Sequence, residues 1–393
     1  MSDSSSRPRI VSSLSVADDA EEAAHALAAD LRPKLGSHVD LAFVFLTPEH
    51  LDRTAAAAAI LREQLGVRHM LGCVSQGVIS GDREFERGPA ISVWAARLPG
   101  AEIETFHTTL IPDVGIDAAE IPDLEGAEVT FLLADPFGFP TDGLLKLLND
   151  AYPGVPIVGG LATGAGRPET QALILDDDVK HEGAIGVVLR NVAVAVAVSQ
   201  GCAPVGREAV ITSAESNLIQ ELAGERALDR LQDEFGALSE REQKLAAQGI
   251  LAGLVIDENK PAYERGDFLI RGVLGVDQDS GSIAVGESVR VGQTIRFHVR
   301  DAMTASEDLE AVISRVAPDG RAVSGAVLFT CNGRGRNMFG VPDHDAGAIS
   351  GALAADALAG MFCGGEIGPV GSRNFLHGFT ATTAVFLEPA PAP

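Results

Sequence analysis

Aromatic side chains are scarce, at 5 % of the chain, with one Trp and two Tyr. That leaves few platforms on which nucleobases could stack. Basic residues are outnumbered, 30 Lys and Arg against 55 Asp and Glu, for a formal net charge of −25. A polyanion of this size repels phosphate backbones and anionic lipid headgroups, so neither nucleic acid nor a membrane is an expected partner. The four cysteines, Cys73, Cys202, Cys331 and Cys363, lie far apart and form no C-x-x-C pair, which argues against a disulfide scaffold in a chain this long. No apolar run is long enough to span a bilayer, and the Ser- and Asp-rich start lacks the apolar centre of a signal peptide. The expectation is a soluble, cytoplasmic protein. Missing too are a phosphate-binding G-x-x-x-x-G-K-[ST] loop, a full dinucleotide fingerprint, H-E-x-x-H or paired Cys/His metal spacing, and G-x-S-x-G. Asp343-His344-Asp345 reads as an exposed loop. No cofactor and no metal are expected.

What is present is aliphatic. Hydrophobic residues make up 46 % of the 393 positions, enough for two or three domains with helices packed on sheets. Residues 1–15 read as a disordered lead. A helix is predicted over 17–35, with acids in its first turn, then a buried strand over 41–46, an alanine-rich helix over 55–65 and a strand end at 71–75. The order recurs at 129–134, 143–151 and 155–160, and again at 326–331, 346–355 and 359–366. Gly72-Cys73, Gly159-Gly160 and Cys363-Gly364-Gly365 fall at comparable tips. The pattern fits a structural repeat, although any βαβ unit with glycine at a strand end would look alike. Between the second and third copies, residues 214–235 read as a polar amphipathic helix, 268–299 as a β-meander, and 303–316 as a further helix. The expected fold class is mixed α/β (α+β), with sheets covered by helices and the β-meander in the second half. The expected division is a lead 1–15, a first domain 16–225, a second domain 226–388 and a tail 389–393. No long linker separates the two domains, so they are expected to pack closely.

Four motifs could carry chemistry. The densest, Thr330-Cys331-Asn332-Gly333-Arg334-Gly335-Arg336-Asn337, lies where a buried strand empties into a loop. Its glycines let backbone N–H groups approach a ligand, and Arg334 could grip a carboxylate with two hydrogen bonds. A tight turn with surface arginines is the alternative. The second motif, Phe362-Cys363-Gly364-Gly365-Glu366, sets a Glu at a strand end. Buried, that Glu would need a cation or several donors; an amine ligand or Arg334 would serve. In the third, Arg373, Asn374 and His377 precede the final strand, and Asn374 and His377 can donate or accept. The fourth joins Gly201 to Cys202 at the end of a Val/Ala strand, and a similar tip carries Cys73 and Ser75. A cysteine there could be a nucleophile; a buried structural thiol is the plainer reading.

Together these motifs resemble the FIST family, with an N-terminal and a C-terminal FIST domain. The resemblance rests on SQGCAPVG at 199–206, GDFLIRGVLGVDQDSG at 266–281, VGQTIRFHVRD at 291–301, CNGRG at 331–335 and FCGGEIGPVGSRNFLHGFT at 362–380, with looser matches GCVSQGVI at 72–79 and VPIVGGLATG at 155–164. It implies an intracellular sensory module binding a small polar ligand such as an amino acid, and a signalling protein as partner. On that reading Arg334 meets an acidic group and Glu366 an amino group. Asn332, Asn374 and His377 would fix orientation, with Cys331, Gly333, Gly335, Cys363, Gly365 and Arg373 around them and Cys202, Gly201, Cys73 and Ser75 in secondary places. Two alternatives stand beside it. One is a cysteine-dependent enzyme using Cys331, Cys363 or Cys202, with His377 as base. The other is an interaction scaffold or adaptor. Open sheet edges also offer a route to a homodimer.

Overall fold

Three stretches of the chain build the same motif. In each, a buried strand leads through a helix into a second strand parallel to the first. Val39–Leu46 pairs with Val67–Val74 through helix Thr54–Leu65, Val129–Ala134 with Ile157–Leu161 through Thr141–Ala151, and Val323–Cys331 with Leu358–Cys363 through His344–Leu353. A third strand, Ile91–Arg97, Ala184–Arg190 or Thr380–Leu387, lies antiparallel beside the first. The fourth strand is exchanged between repeats. Val78–Ser80 leaves the first repeat to pair with Leu358–Cys363, Leu173–Leu175 leaves the second to pair with Val67–Val74, and Glu366–Val370 leaves the third to pair with Ile157–Leu161. The structure, a computed model describing residues 7–36, 38–316 and 320–389, thus closes its three repeats into a ring by strand exchange.

The register fixes which residues correspond. Gly72 faces Val44, Gly159 faces Leu132 and Gly360 faces Leu328 across the parallel pairs. A Cβ at any of these glycines would sit 1.9–2.0 Å from the carbonyl oxygen opposite, so each parallel pair can close only on glycine. The glycine corresponding to Gly72 and Gly159 is therefore Gly360, not the Cys363-Gly364 tip that spacing suggested. Gly77, Gly164 and Gly365 then correspond five residues on, and Ser75, Ala162 and Cys363 three residues on. Six of the aromatics gather where the inner faces of the three sheets meet. Phe43, Phe45, Trp94, Phe131, Phe329 and Phe386 pack with ring centroids 4.7–6.3 Å apart, a buried aromatic cluster. On the outer faces, helices Ala20–Leu35 and Thr54–Leu65 cover the first sheet with alanine and leucine. Thr141–Ala151 covers the second, and His344–Leu353 the third.

These repeats form one of two compact units, made of Met1–Val198, Leu309–Leu376 and Thr380–Pro393; the other is Ser199–Asp308 with His377–Phe379. The expected boundary at 225 falls inside the second unit. That unit is a small barrel: Cys202–Glu215, Thr294–Arg300, Ile250–Val255, Phe268–Val276, Ile283–Val285 and Leu218–Leu222 pair in turn, and the last pairs back to the first. The meander expected over 268–299 is present. The helix expected over 214–235 is corrected: only Ala227–Ala237 is helical, and two hairpins precede it. Glu215 pairs with Leu218 around Ser216 (φ 56°), and Leu222 with Glu225 around Ala223 (φ 52°) and Gly224 (φ 82°). Positive φ at successive turn residues is hairpin geometry, and barrel closure overrides the helical propensity of this polar stretch. Part of the supposed lead is also corrected. Arg9–Ser15 forms an edge strand on Ile91–Arg97, because pairing to a buried neighbour supplies order that serine-rich composition does not suggest. Residues 1–6, and 390–393 of the tail, lie outside the described residues. Among the described residues no helix is long and apolar enough to cross a membrane.

Candidate functional site

The third repeat concentrates buried charge. Its first strand ends at Cys331, and the chain turns tightly: Asn332 N–H donates to Cys363 O (2.9 Å), Gly333 N–H reaches Cys331 Sγ (3.4 Å) and Arg334 N–H donates to Cys331 O (2.8 Å). The turn carries Arg334 inward, where its side chain is fully buried. Nε and Nη2 donate to Oδ2 and Oδ1 of Asp345 at 2.7 and 2.9 Å, a two-pronged pair. Asp345, expected on an exposed loop, is likewise buried. It also takes the Thr330 hydroxyl (2.8 Å) and lies 2.9 Å from His344 Nδ1. Burial pushes its carboxyl up, but the guanidinium and these hydrogen bonds outweigh burial and hold it well below the usual carboxylate range. Phe339 closes the arrangement, stacked on His344 at 3.4 Å and lying under the guanidinium at 5.2 Å. Arg334, expected to meet a ligand's acidic group, is thus engaged by the chain's own aspartate.

Glu366 is the second buried charge. Oε2 takes the N–H and hydroxyl of Thr380 at 3.1 and 2.9 Å, while Oε1 has no hydrogen-bond partner. Burial raises its pKa to about 8 against the lowering effect of Thr380, Cys331 and Arg334. The exchanged hairpins show how unusual it is. Val78 faces Met361, Leu173 faces Cys73 and Glu366 faces Gly160, so the three are corresponding positions and the other two are aliphatic. The cysteines beside it are reduced and buried. Burial pushes the thiols of Cys73 and Cys363 well above their ordinary range, which keeps both protonated and unreactive at neutral pH.

A third carboxyl belongs to the hairpin exchanged from the first repeat. Glu84 faces Ile79 in that hairpin, where the corresponding hairpin has Val179 facing Ile174. Only 7 % exposed, Glu84 accepts at Oε1 from Asp345 N (2.9 Å) and Ala346 N (3.0 Å), capping helix His344–Leu353. Its Oε2 has no partner. Burial and then the Asp345 charge raise its pKa to about 7. This hairpin and the 331–337 turn bound a cleft of about 410 Å³ whose walls include Gln76, Glu84, Arg87, Asn332, Arg336 and Asn337. Arg83, beside it, pairs with Asp343 at 3.4 Å, and Arg336 lies 3.9 Å from Glu86.

The residues singled out in the sequence therefore divide. Asn332 lines the cleft, with Cys331, Gly333, Arg334 and Gly335 in or under the turn beside it. Gly335 has φ 61°, and a Cβ there would meet the Glu86 carboxyl at 2.9 Å. Ser75, next to cleft-lining Gln76, donates to Gly77 O at 2.8 Å. Cys73, Cys363, Gly365 and Glu366 lie within the first unit's interior. Asn374 belongs elsewhere: it locks the second sheet's edge, exchanging hydrogen bonds of 2.8–3.0 Å with Asn149 and donating to Val155 O at 2.9 Å. Asn149→Ala is expected to lower stability by about 1–3 kcal/mol, the cost of stranding such partners, measurable by thermal denaturation. Arg373 is exposed and pairs with Asp150 at 3.1 Å. His377, Gly201 and Cys202 are buried in the second unit; Cys202 packs with Leu251, Val255 and Phe268. Sequence reasoning missed Glu84 and Arg87. The one trace of them in the sequence is the charged run Arg83-Glu84-Phe85-Glu86-Arg87, in which a strand must turn every second residue inward.

Residues 40–225 match the FIST N domain and residues 227–369 the FIST C domain. An uncharacterized protein of Mycobacterium tuberculosis, Rv0628c, is 40 % identical over 386 residues, covering 97 % of this chain and all (100 %) of the relative. An uncharacterized protein of Mycobacterium bovis, Mb0898c, is 40 % identical over 376 residues, covering 94 % of this chain and 96 % of the relative. Among solved structures, the cyanuric acid hydrolase from A. caulinodans covers 96 % of this chain and 98 % of its own, at 11 % identity and a TM-score of 0.33. With its two matches together spanning most of its length, the chain belongs to the FIST family.

Proposed function

We propose that this protein is a small-ligand sensor whose cleft beside the 331–337 turn takes a polar metabolite of about the size of an amino acid, and that a partner protein reads its occupancy. The observation that carries the reading is the asymmetry of the repeats. Where corresponding positions are Val179, Val78 and Leu173, the groups gathered around the third sheet include Glu84 and Glu366, both buried and both with an unfilled oxygen. Packing alone favours the aliphatic residue, and departures from local consistency cluster at functional sites. The cleft's volume lies within the range of small-molecule sites. Exposed Arg87 has no ion-pair partner among the described residues and can receive an acidic group. The high pKa of the Cys73 and Cys363 thiols speaks against catalysis by either.

Native mass spectrometry of the purified protein, followed by denaturing analysis of anything released, tests the reading. A stoichiometric small polar adduct is expected, and Arg87→Ala is expected to lose it with an unchanged melting temperature. Adduct retained in full by both Arg87→Ala and Arg336→Ala would place the ligand elsewhere.

A further inference from the structure

The unfilled hydrogen-bonding groups around the cleft are of one kind. Glu84 Oε2 and Asn332 Oδ1, both buried and both on residues that line the cleft, receive no hydrogen bond. Both are acceptors, Glu84 Oε2 once its carboxyl is ionised, and buried acceptors are ordinarily filled by donors. The surrounding charges do not fill them. On the hairpin, Arg83 pairs with Asp343, and Glu86 takes the N–H of Arg336 at 3.0 Å with the guanidinium 3.9 Å away; Arg87 is exposed. At the helix start, His344 and Arg334 both engage Asp345. No cation of the chain forms an ion pair with Glu84 among the described residues. A buried carboxyl in that position stays neutral by holding a proton, which agrees with its raised pKa.

Resting on the cleft reading above, we infer that the ligand carries a protonated nitrogen group with at least two N–H donors, an ammonium or a guanidinium, which fills Glu84 Oε2 and Asn332 Oδ1 and enters in exchange for the proton on Glu84. The exchange balances in charge: the neutral carboxyl releases one proton to solvent and the ligand's positive charge pairs with the carboxylate left behind. Glu84 is also the cap of helix His344–Leu353, so the same carboxyl ties cleft occupancy to the helix terminus.

Titration calorimetry on the full chain tests this with n-butylamine, agmatine and glycine as nitrogen-bearing probes and succinate as the nitrogen-free control. Repeating each titration at pH 6 in buffers of different ionisation enthalpy counts protons. The nitrogen-bearing probes are expected to bind and succinate to fail. Close to one proton should leave per ligand at pH 6, and affinity should rise about tenfold per pH unit until it levels near pH 7. Glu84→Gln, which keeps an oxygen for the helix N–H groups, should weaken binding at least about tenfold and abolish both proton release and pH dependence. Asn332→Ala should weaken the probes while leaving proton release intact. Succinate binding in preference to the amines, amine binding with no proton released, or no binding by any probe would overturn the assignment. In the last case the adduct found by native mass spectrometry still decides whether the cleft holds a ligand at all.

Discussion

Arg334→Ala is expected to destabilise the first unit severely rather than to leave a folded protein that cannot bind. The guanidinium is fully buried and held by Asp345 at 2.7 and 2.9 Å. Deleting it leaves the Asp345 carboxylate buried without its cation. Removing one partner of a buried pair costs about 3–5 kcal/mol, which corresponds to a fall in melting temperature of about ten degrees. The damage does not stop at the pair. Asp345 lies in the first turn of helix His344–Leu353, and its backbone N–H is held by the cleft-lining Glu84, so an unpaired charge there also loosens the wall of the cleft. Thermal unfolding of the full chain followed by circular dichroism measures the effect. Replacing both partners, Arg334→Met with Asp345→Leu, should recover most of the loss, because the cost lies in the stranded charge. A single Arg334→Ala variant melting within a degree or two of wild type would mean that the pair is not desolvated as the structure has it.

That prediction differs from what the sequence alone suggests, and the difference shows what was legible. The strand-end glycine loops and the recurring strand, helix, strand order are local patterns, and they led to the repeat and to the 331–337 turn. Hydrophobic periodicity located the parallel strands because buried strands read as apolar runs. Strand exchange was not legible, since pairing of Glu366 with Gly160 or of Val78 with Met361 joins residues far apart in sequence. Without that register, nothing shows that Glu366 stands where two other repeats have aliphatic residues. The direction of Arg334 was likewise hidden. An arginine between two glycines suits an exposed turn equally well, and only the position of Asp345, 11 residues on, decides that it points inward. Glu84 escaped notice because hairpin strand Arg83–Phe85 is three residues long, too short to show its alternation.

Glu366→Leu is expected to stabilise the protein, and to do so increasingly as the pH rises. Glu366 is fully buried, and burial raises its pKa to about 8 in the folded state, against an ordinary value of about 4.5 in the unfolded chain. Between these two values the folded chain holds a proton that the unfolded chain has released, so folding stability falls as pH climbs from about 4.5 and levels off above about 8. Glu84, raised to about 7 by burial and Asp345, adds a loss of the same sign that ends lower. At pH 9 the unpaired carboxylate of Glu366 costs on the order of a few kcal/mol; at pH 5 the neutral acid costs little and keeps its hydrogen bonds to Thr380. Leucine is the residue already used at the corresponding position 173, which faces Cys73 in the first sheet. The wild-type and Glu366→Leu denaturation curves should therefore converge near pH 5 and separate by several degrees in melting temperature at pH 9. Stability differences that stay constant across that range would mean that Glu366 does not change its proton occupancy on folding. Its charge would then have to be balanced inside the protein by a donor other than Thr380, which points back to Cys331 and Arg334, the groups that already lower its pKa.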